Sequence, residues 1–141
     1  MRDAGDMPDL DPDVRALLEA PNFVHVATLM PDGSPHTVAV WAGMDGDRPY
    51  FFTQPASQKA RNLARDPRLA LSVVDREHPY RTARLRGRVG ATVEGRPALE
   101  LIDRLSHSYT GKDFPMRSGV VFLIDVERAA FLELPFVDAP A

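Results

Sequence analysis

Ser57 and Lys59 are the residues whose types and spacing most directly suit chemistry. They lie in FFTQPASQKARNLARDPRL (residues 51–69), where a β-type run breaks at Pro55 and a short basic amphipathic segment runs on to Pro67. A helix N-terminus offers unpaired backbone N–H groups and a partial positive charge, which together favour an anion. The serine falls at the expected cap, where its hydroxyl can donate to a phosphate oxygen or satisfy the turn. Lys59 can bring a point charge to the same place, and Arg61 can reach it or point to solvent. The same residues also read as a capped connector helix, with Ala60 and Leu63 turned inward and the cations solvated. The stretch by itself leaves both readings open.

Other chemistries find no footing. There is no G-x-G-x-x-G opening a helix after a strand and no G-x-x-x-x-G-K-[ST]. His25, His36, His78 and His107 are scattered without ligand spacing, so no metal site is expected. Ser57, Ser106 and Ser118 lack a nucleophile-elbow context, and Asp45 and Asp47 belong to a turn. The absence of cysteine removes disulfides and thiolate chemistry. No catalytic side chain stands out. With 17 Lys+Arg against 20 Asp+Glu, a net charge of -3 argues against a nucleic-acid partner. The acidic N-terminus MRDAGDMPDLDPD is no secretory signal, and no apolar run approaches the roughly 20 residues needed to span a bilayer. A cytoplasmic protein without a membrane partner is the expectation.

The elements that must position Ser57 and Lys59 can be read along the chain. Residues 1–10 read as a flexible leader and 11–141 as a single domain. Asp11 and Pro12 suit a helix start, with Val14, Leu17 and Leu18 as its apolar stripe. FVHVATLM, the turn PDGS (31–34), PHTVAVWAGM, the turn DGDR (45–48) and PYFFT make an antiparallel meander, because such short links cannot form parallel crossovers. A helix over 56–66, a strand over 69–74 and a strand over 80–93 follow, the last with a bulge or bend expected between Gly87 and Gly90. A helix over 97–109 carries Leu99, Ile102 and Leu105. The chain then returns through Val120–Val126 and Ala130–Leu134, as one strand or a pair. Six or seven strands with helices at the ends suit a small closed antiparallel barrel.

Taken in order, FFTQPASQKARNLARDPRLALSVV resembles the signature of the pyridoxamine 5′-phosphate oxidase-like split β-barrel family. LMPDGSPHTVAVW is similar to that family's first hairpin, and SYTGKDFP to a loop of its smaller members; the resemblance spans roughly residues 12–134. It implies a homodimer with flavin-type cofactors in grooves between the barrels. Ser57 and Lys59 would hold the cofactor's phosphate, with Thr53 and Gln54 close by. Backbone groups of Thr37, Val38 and Ala39 would meet the ring edge, and Trp41 would lie near the ring. The protein would supply orientation and electrostatics while the ring carries the hydride.

Two departures refine that picture. FMN-using oxidases of the family commonly show Ser-Arg-Lys, whereas Gln58 stands in the middle here. Ser-Gln-Lys looks more like the branch that uses coenzyme F-420, with FMN as the alternative. The chain ends in LELPFVDAPA, without the Arg- and Trp-rich segment of true pyridoxamine phosphate oxidases, so vitamin B6 oxidation is not expected. The implied activity is hydride transfer between reduced F-420 and a small conjugated substrate; a non-catalytic cofactor-binding protein is the alternative from another class. In YRTARLRGR, Arg84, Arg86 and Arg88 share parity on one strand face. They can match an acidic cofactor tail, the F-420 tail carrying a phosphodiester and glutamates, or they can pair with nearby acids on an exposed face.

Overall fold

The computed structural model describes residues 10–140, so residues 1–9 of the expected leader lie outside the described residues. Leu10 is partly buried against the barrel core. The first helix, α1 (Pro12–Glu19), starts as its sequence dictates: the Asp11 carboxylate accepts the Asp13 N–H at 2.8 Å, and Pro12 needs no partner for a missing donor. Its Val14, Leu17 and Leu18 are buried.

The meander follows as β1 (Phe23–Leu29), β2 (Pro35–Asp45) and β3 (Arg48–Thr53), then α2 (Gln58–Arg65), β4 (Arg68–Val74), β5 (Arg81–Val93), α3 (Gly95–Thr110) and β6 (Val120–Glu133). The six strands close into an antiparallel barrel in the order β1-β2-β3-β6-β5-β4. The two final segments are thus one continuous strand, which pairs with β3 through Val120–Leu123 and with β5 along nearly its whole length. Gly33 sits in the first hairpin turn at φ 87, a backbone conformation that other residues rarely adopt.

The expected irregularity near Gly87 and Gly90 is a pair of register shifts against β6. A Cβ on Gly87 would lie 2.2 Å from the Asp125 carbonyl oxygen, and one on Gly90 would lie 2.3 Å from the Asp125 carboxylate. Glycine is therefore required by close approach. Arg48 Nε meets that same carboxylate at 3.0 Å.

Two hydrophobic clusters lie back to back. Val24, Val26, Phe51, Leu71, Val73, Leu85, Phe122 and Ile124 fill the barrel, and α1 and α2 add Leu17, Leu18, Ala60 and Leu63. Helices closing the barrel in this way were expected. α3 does something else: its Ala98, Leu101, Ile102 and Leu105 pack with Tyr50 and Val121 in a separate cluster on the outside of β3 and β6. The cause is visible in PYFFT, where Phe51 points inward and Tyr50 and Phe52 point outward, so both faces of β3 need cover. The buried Tyr50 hydroxyl donates to the Leu101 carbonyl at 3.0 Å, and burial pushes its pKa up to about 12.

β2 is longer than its pairing with β3. Ala42–Asp45 pair with β3, whereas Pro35–Trp41 pair with β1 alone. One edge of that half-strand therefore carries alternate N–H and C=O groups with no ladder partner among the described residues. Among the described residues no helix is long and apolar enough to cross a membrane.

Candidate functional site

The turn after β3 is closed by the Ser57 N–H donating to the Gln54 carbonyl at 3.0 Å. Ser57 then caps α2: its Oγ accepts the Ala60 N–H at 3.2 Å and the Thr53 hydroxyl at 2.9 Å. Both acceptor positions of Ser57 are used, which leaves its own hydroxyl hydrogen to donate outward. α2 is anchored beneath by Asn62, which is fully buried and donates to the Thr28 hydroxyl on β1 at 3.0 Å. This bond holds the helix N-terminus in register with the barrel rim.

Lys59 projects from the first turn of α2 into a pocket of about 380 Å³. Ala39, Trp41, Phe52, Thr53, Gln54, Phe114 and Phe23 are among its walls. Burial pushes the Lys59 ammonium below the ordinary lysine value, with nothing raising it in compensation. No carboxylate among the described residues comes within ion-pair distance of it. A desolvated cation without a partner disfavours its own charge unless an anion joins it.

The opposite wall is aromatic. Trp41 lies edge-on to Phe114 at 6.0 Å and to Phe52 at 6.3 Å between ring centroids, and it stacks on Tyr109 at 5.1 Å. The Tyr109 hydroxyl meets the Asn22 carbonyl and accepts the Ala42 N–H at 3.1 Å, which fixes the stack to β2. Flat apolar walls with one cation at the end fit a ring that carries an anionic group.

Phe114 and Met116 belong to the 111–119 loop, and three bonds to Asp103 on α3 hold that loop in place. The Phe114 N–H donates at 3.1 Å, and both Arg117 guanidinium nitrogens at 2.8 Å. The guanidinium keeps the Asp103 carboxyl down to about 2. From the other side, Gln54 donates to the Ser118 carbonyl at 2.9 Å.

Of the residues expected at the site, the pocket gathers Ala39, Trp41, Thr53, Gln54 and Lys59, with Ser57 at its rim through Thr53. Val38 turns its side chain to the barrel interior, and its backbone belongs to the open half of β2 with those of Thr37 and Ala39. The Thr37 side chain lines a different groove. Gln58 and Arg61 are not brought in: Gln58 accepts from Arg61 at 2.6 Å and donates to Asn62 at 2.9 Å, so both lie along the helix. Phe23, Phe52, Phe114 and Met116 complete the pocket without having been singled out, although Phe114 stands in the SYTGKDFP loop.

The family model described as pyridoxamine 5′-phosphate oxidase matches residues 10–133. The chain belongs to the pyridoxamine 5′-phosphate oxidase family. Within that family, it is 38% identical over 78 residues to a pyridoxine/pyridoxamine 5′-phosphate oxidase of Rhodopseudomonas palustris (strain BisB5). That overlap takes 55% of this chain and 36% of the relative, so the match spans about a third of the relative's length. A solved F-420 reductase is 31% identical, with a TM-score of 0.74 over 82% of this chain and 94% of its own. A conserved hypothetical protein of Mycobacterium tuberculosis shares the fold at a TM-score of 0.77 over 100% of this chain and 98% of its own, with 23% identity. Both likenesses agree with the split-barrel architecture of a pyridoxamine 5′-phosphate oxidase family member.

Proposed function

We propose that this chain is a flavin- or deazaflavin-dependent oxidoreductase that passes a hydride between reduced coenzyme F-420 and a small conjugated substrate. The observation that carries the reading is Lys59, a partly buried ammonium in an aromatic-walled pocket with no acid beside it among the described residues. Family membership and the likeness to an F-420 reductase support the same class.

In this reading Lys59 and the free hydroxyl hydrogen of Ser57 hold the phosphate, and Thr53 orients Ser57. Trp41, Phe52 and Phe114 exclude water from the ring, and the open edge of β2 at Thr37, Val38 and Ala39 offers backbone donors and acceptors to the ring edge. When bound, the ring would supply the hydride chemistry, so the chain's own residues need only bind and orient it.

F-420 is favoured over FMN by the charge on the phosphate group that Lys59 would meet. The family's extra arginine is replaced by Gln58, which is engaged with Arg61 and Asn62, so among the described residues Lys59 is the one cation lining the pocket. A phosphodiester carries a single charge, whereas a phosphomonoester carries about two at neutral pH. One ammonium balances the first better than the second. The test is a titration followed through Trp41, the sole tryptophan, with F-420 and with FMN, on the wild type and on Lys59→Ala. Tighter binding of F-420, lost in the variant, supports the reading. Preferential FMN binding moves the chemistry to an FMN-dependent enzyme, and binding of neither overturns both.

A homodimer is part of the proposal. Phe23, Val74 and Leu132 are large apolar side chains 42 to 49% exposed on the outside of the barrel, the kind of surface that a second copy would cover.

A further inference from the structure

Gln54 stands where β3 ends and the turn into α2 begins, and it bonds in both directions. Its backbone carbonyl accepts the Ser57 N–H at 3.0 Å, which sets the cap of α2. Its side chain reaches the other way. Nε2 donates to the Ser118 carbonyl at 2.9 Å and Oε1 accepts the Ser118 hydroxyl at 3.3 Å. Both ends of the carboxamide are thus engaged by one residue of the 111–119 loop.

That contact is how the loop is attached to the barrel. Arg117 donates to the Phe114 carbonyl at 2.8 Å, closing the loop on itself, and Asp103 holds both residues to α3. His107 and Asp113 meet at 2.6 Å, again on α3. Among the described residues, Gln54 is the one side chain of the barrel or of the α2 turn that bonds the loop. The approach is close at this point: a Cβ on Gly119 would lie 2.8 Å from Ile102 Cδ1. The Gln54–Ser118 pair also stands between two spaces. Gln54 lines the Lys59 pocket, and Ser118 lines a second cavity of about 280 Å³.

We infer that Gln54 is a positioning residue for the ring end of the site and not a ligand of the phosphate. By holding Ser118 it keeps Phe114 and Met116 against the pocket and closes the pocket toward the second cavity. Because the same residue sets the Ser57 turn, it also fixes the spacing between the anion end and the aromatic wall. The inference rests on the reading of the pocket as a flavin or deazaflavin site, and it adds which end of the ligand Gln54 governs.

The test compares the wild type with Lys59→Ala and with Gln54→Leu, which keeps the backbone carbonyl and loses both side-chain bonds. Trypsin cleavage after Arg117, located by mass spectrometry, reads the loop with no ligand present. It should be several-fold faster in Gln54→Leu and unchanged in Lys59→Ala, and Trp41 emission should shift in Gln54→Leu while its thermal unfolding stays cooperative. Affinity is then measured for FMN against riboflavin, which lacks the phosphate, and for F-420 against its phosphate-free deazaflavin chromophore. Gln54→Leu should weaken both members of a pair equally, by about three- to tenfold, the effect expected of a lost hydrogen bond. Lys59→Ala should weaken only the phosphate-bearing member. Equal cleavage rates, or a loss in Gln54→Leu confined to the phosphate-bearing member, overturns the inference. If the wild type binds none of the four, the Lys59 reading and the ring-end role fall together, and faster cleavage in the variant leaves Gln54 as a loop anchor alone.

Discussion

At the scale of single residues, Lys59 gives the sharpest predictions. Burial holds its ammonium below the ordinary lysine value in the folded protein. The unfolded chain therefore binds that proton more tightly, and stability should rise as the pH climbs from the folded pKa toward the ordinary lysine value. Lys59→Ala should flatten that rise, as read by denaturant unfolding across alkaline pH. An anionic ligand favours the charged form, so its affinity should fall as the pH rises through the pKa of Lys59 in the free protein. Asn62 belongs to the frame beneath. Asn62→Ala would strip Thr28 and Gln58 of a partner, one of them in the dry interior, and should cost about 1–3 kcal/mol in urea unfolding. Gln58 and Arg61 show a limit of reading residues singly. Both had the chemistry for an anion, but in a helix a side chain can reach the residues three or four positions on, and these two found partners there.

At the scale of elements, the loop that bears Phe114 and Met116 is held to α3 by Asp103. Its carboxyl sits at about 2 instead of 3.8. The stabilisation from that ion pair is present above the ordinary value and lost as the pH falls toward 2. Trp41 emission, which reports Phe114 at its edge, should hold steady through about pH 4 and change only as the pH approaches about 2, where the folded Asp103 takes up its proton. Asp103→Asn should shift that emission at neutral pH and loosen ligand binding in the pocket while leaving the barrel folded. In β5, Gly87→Ala would set a methyl against the Asp125 backbone and should destabilise by about 1–3 kcal/mol. The bulge, the hairpins and the start of α1 were all legible, because glycine, proline and capping chemistry act within a few residues. The seat of α3 was not. Leu101, Ile102 and Leu105 show that the helix has an apolar stripe, but nothing local says whether it meets the end of a barrel or its flank. The outward Tyr50 and Phe52 decide that, and they stand some fifty residues away in the chain.

At the scale of the whole molecule, the site is assembled from both halves of the sequence. Lys59, Thr53 and Gln54 were legible as neighbours because one turn carries them. Phe23, Phe52 and Phe114 reach the same pocket from separate strands and a distant loop, so only closure of the barrel brings them together. If two copies cover Phe23, Val74 and Leu132, sedimentation at micromolar concentration should give a dimer, and Val74→Asp with Leu132→Asp should give a folded monomer. A clean wild-type monomer would count against the shared grooves. The two back-to-back clusters have a consequence of their own. The aromatic pocket wall draws on the outer cluster, through Trp41, Phe52 and Phe114, whereas cooperative closure of the barrel rests on the inner one. Substitutions in that aromatic wall therefore leave the inner barrel core largely alone. Such a scaffold can diverge in what it accommodates while its architecture stays constant, and directed evolution of this chain should tolerate change at 114–118 far better than at Phe51 or Phe122.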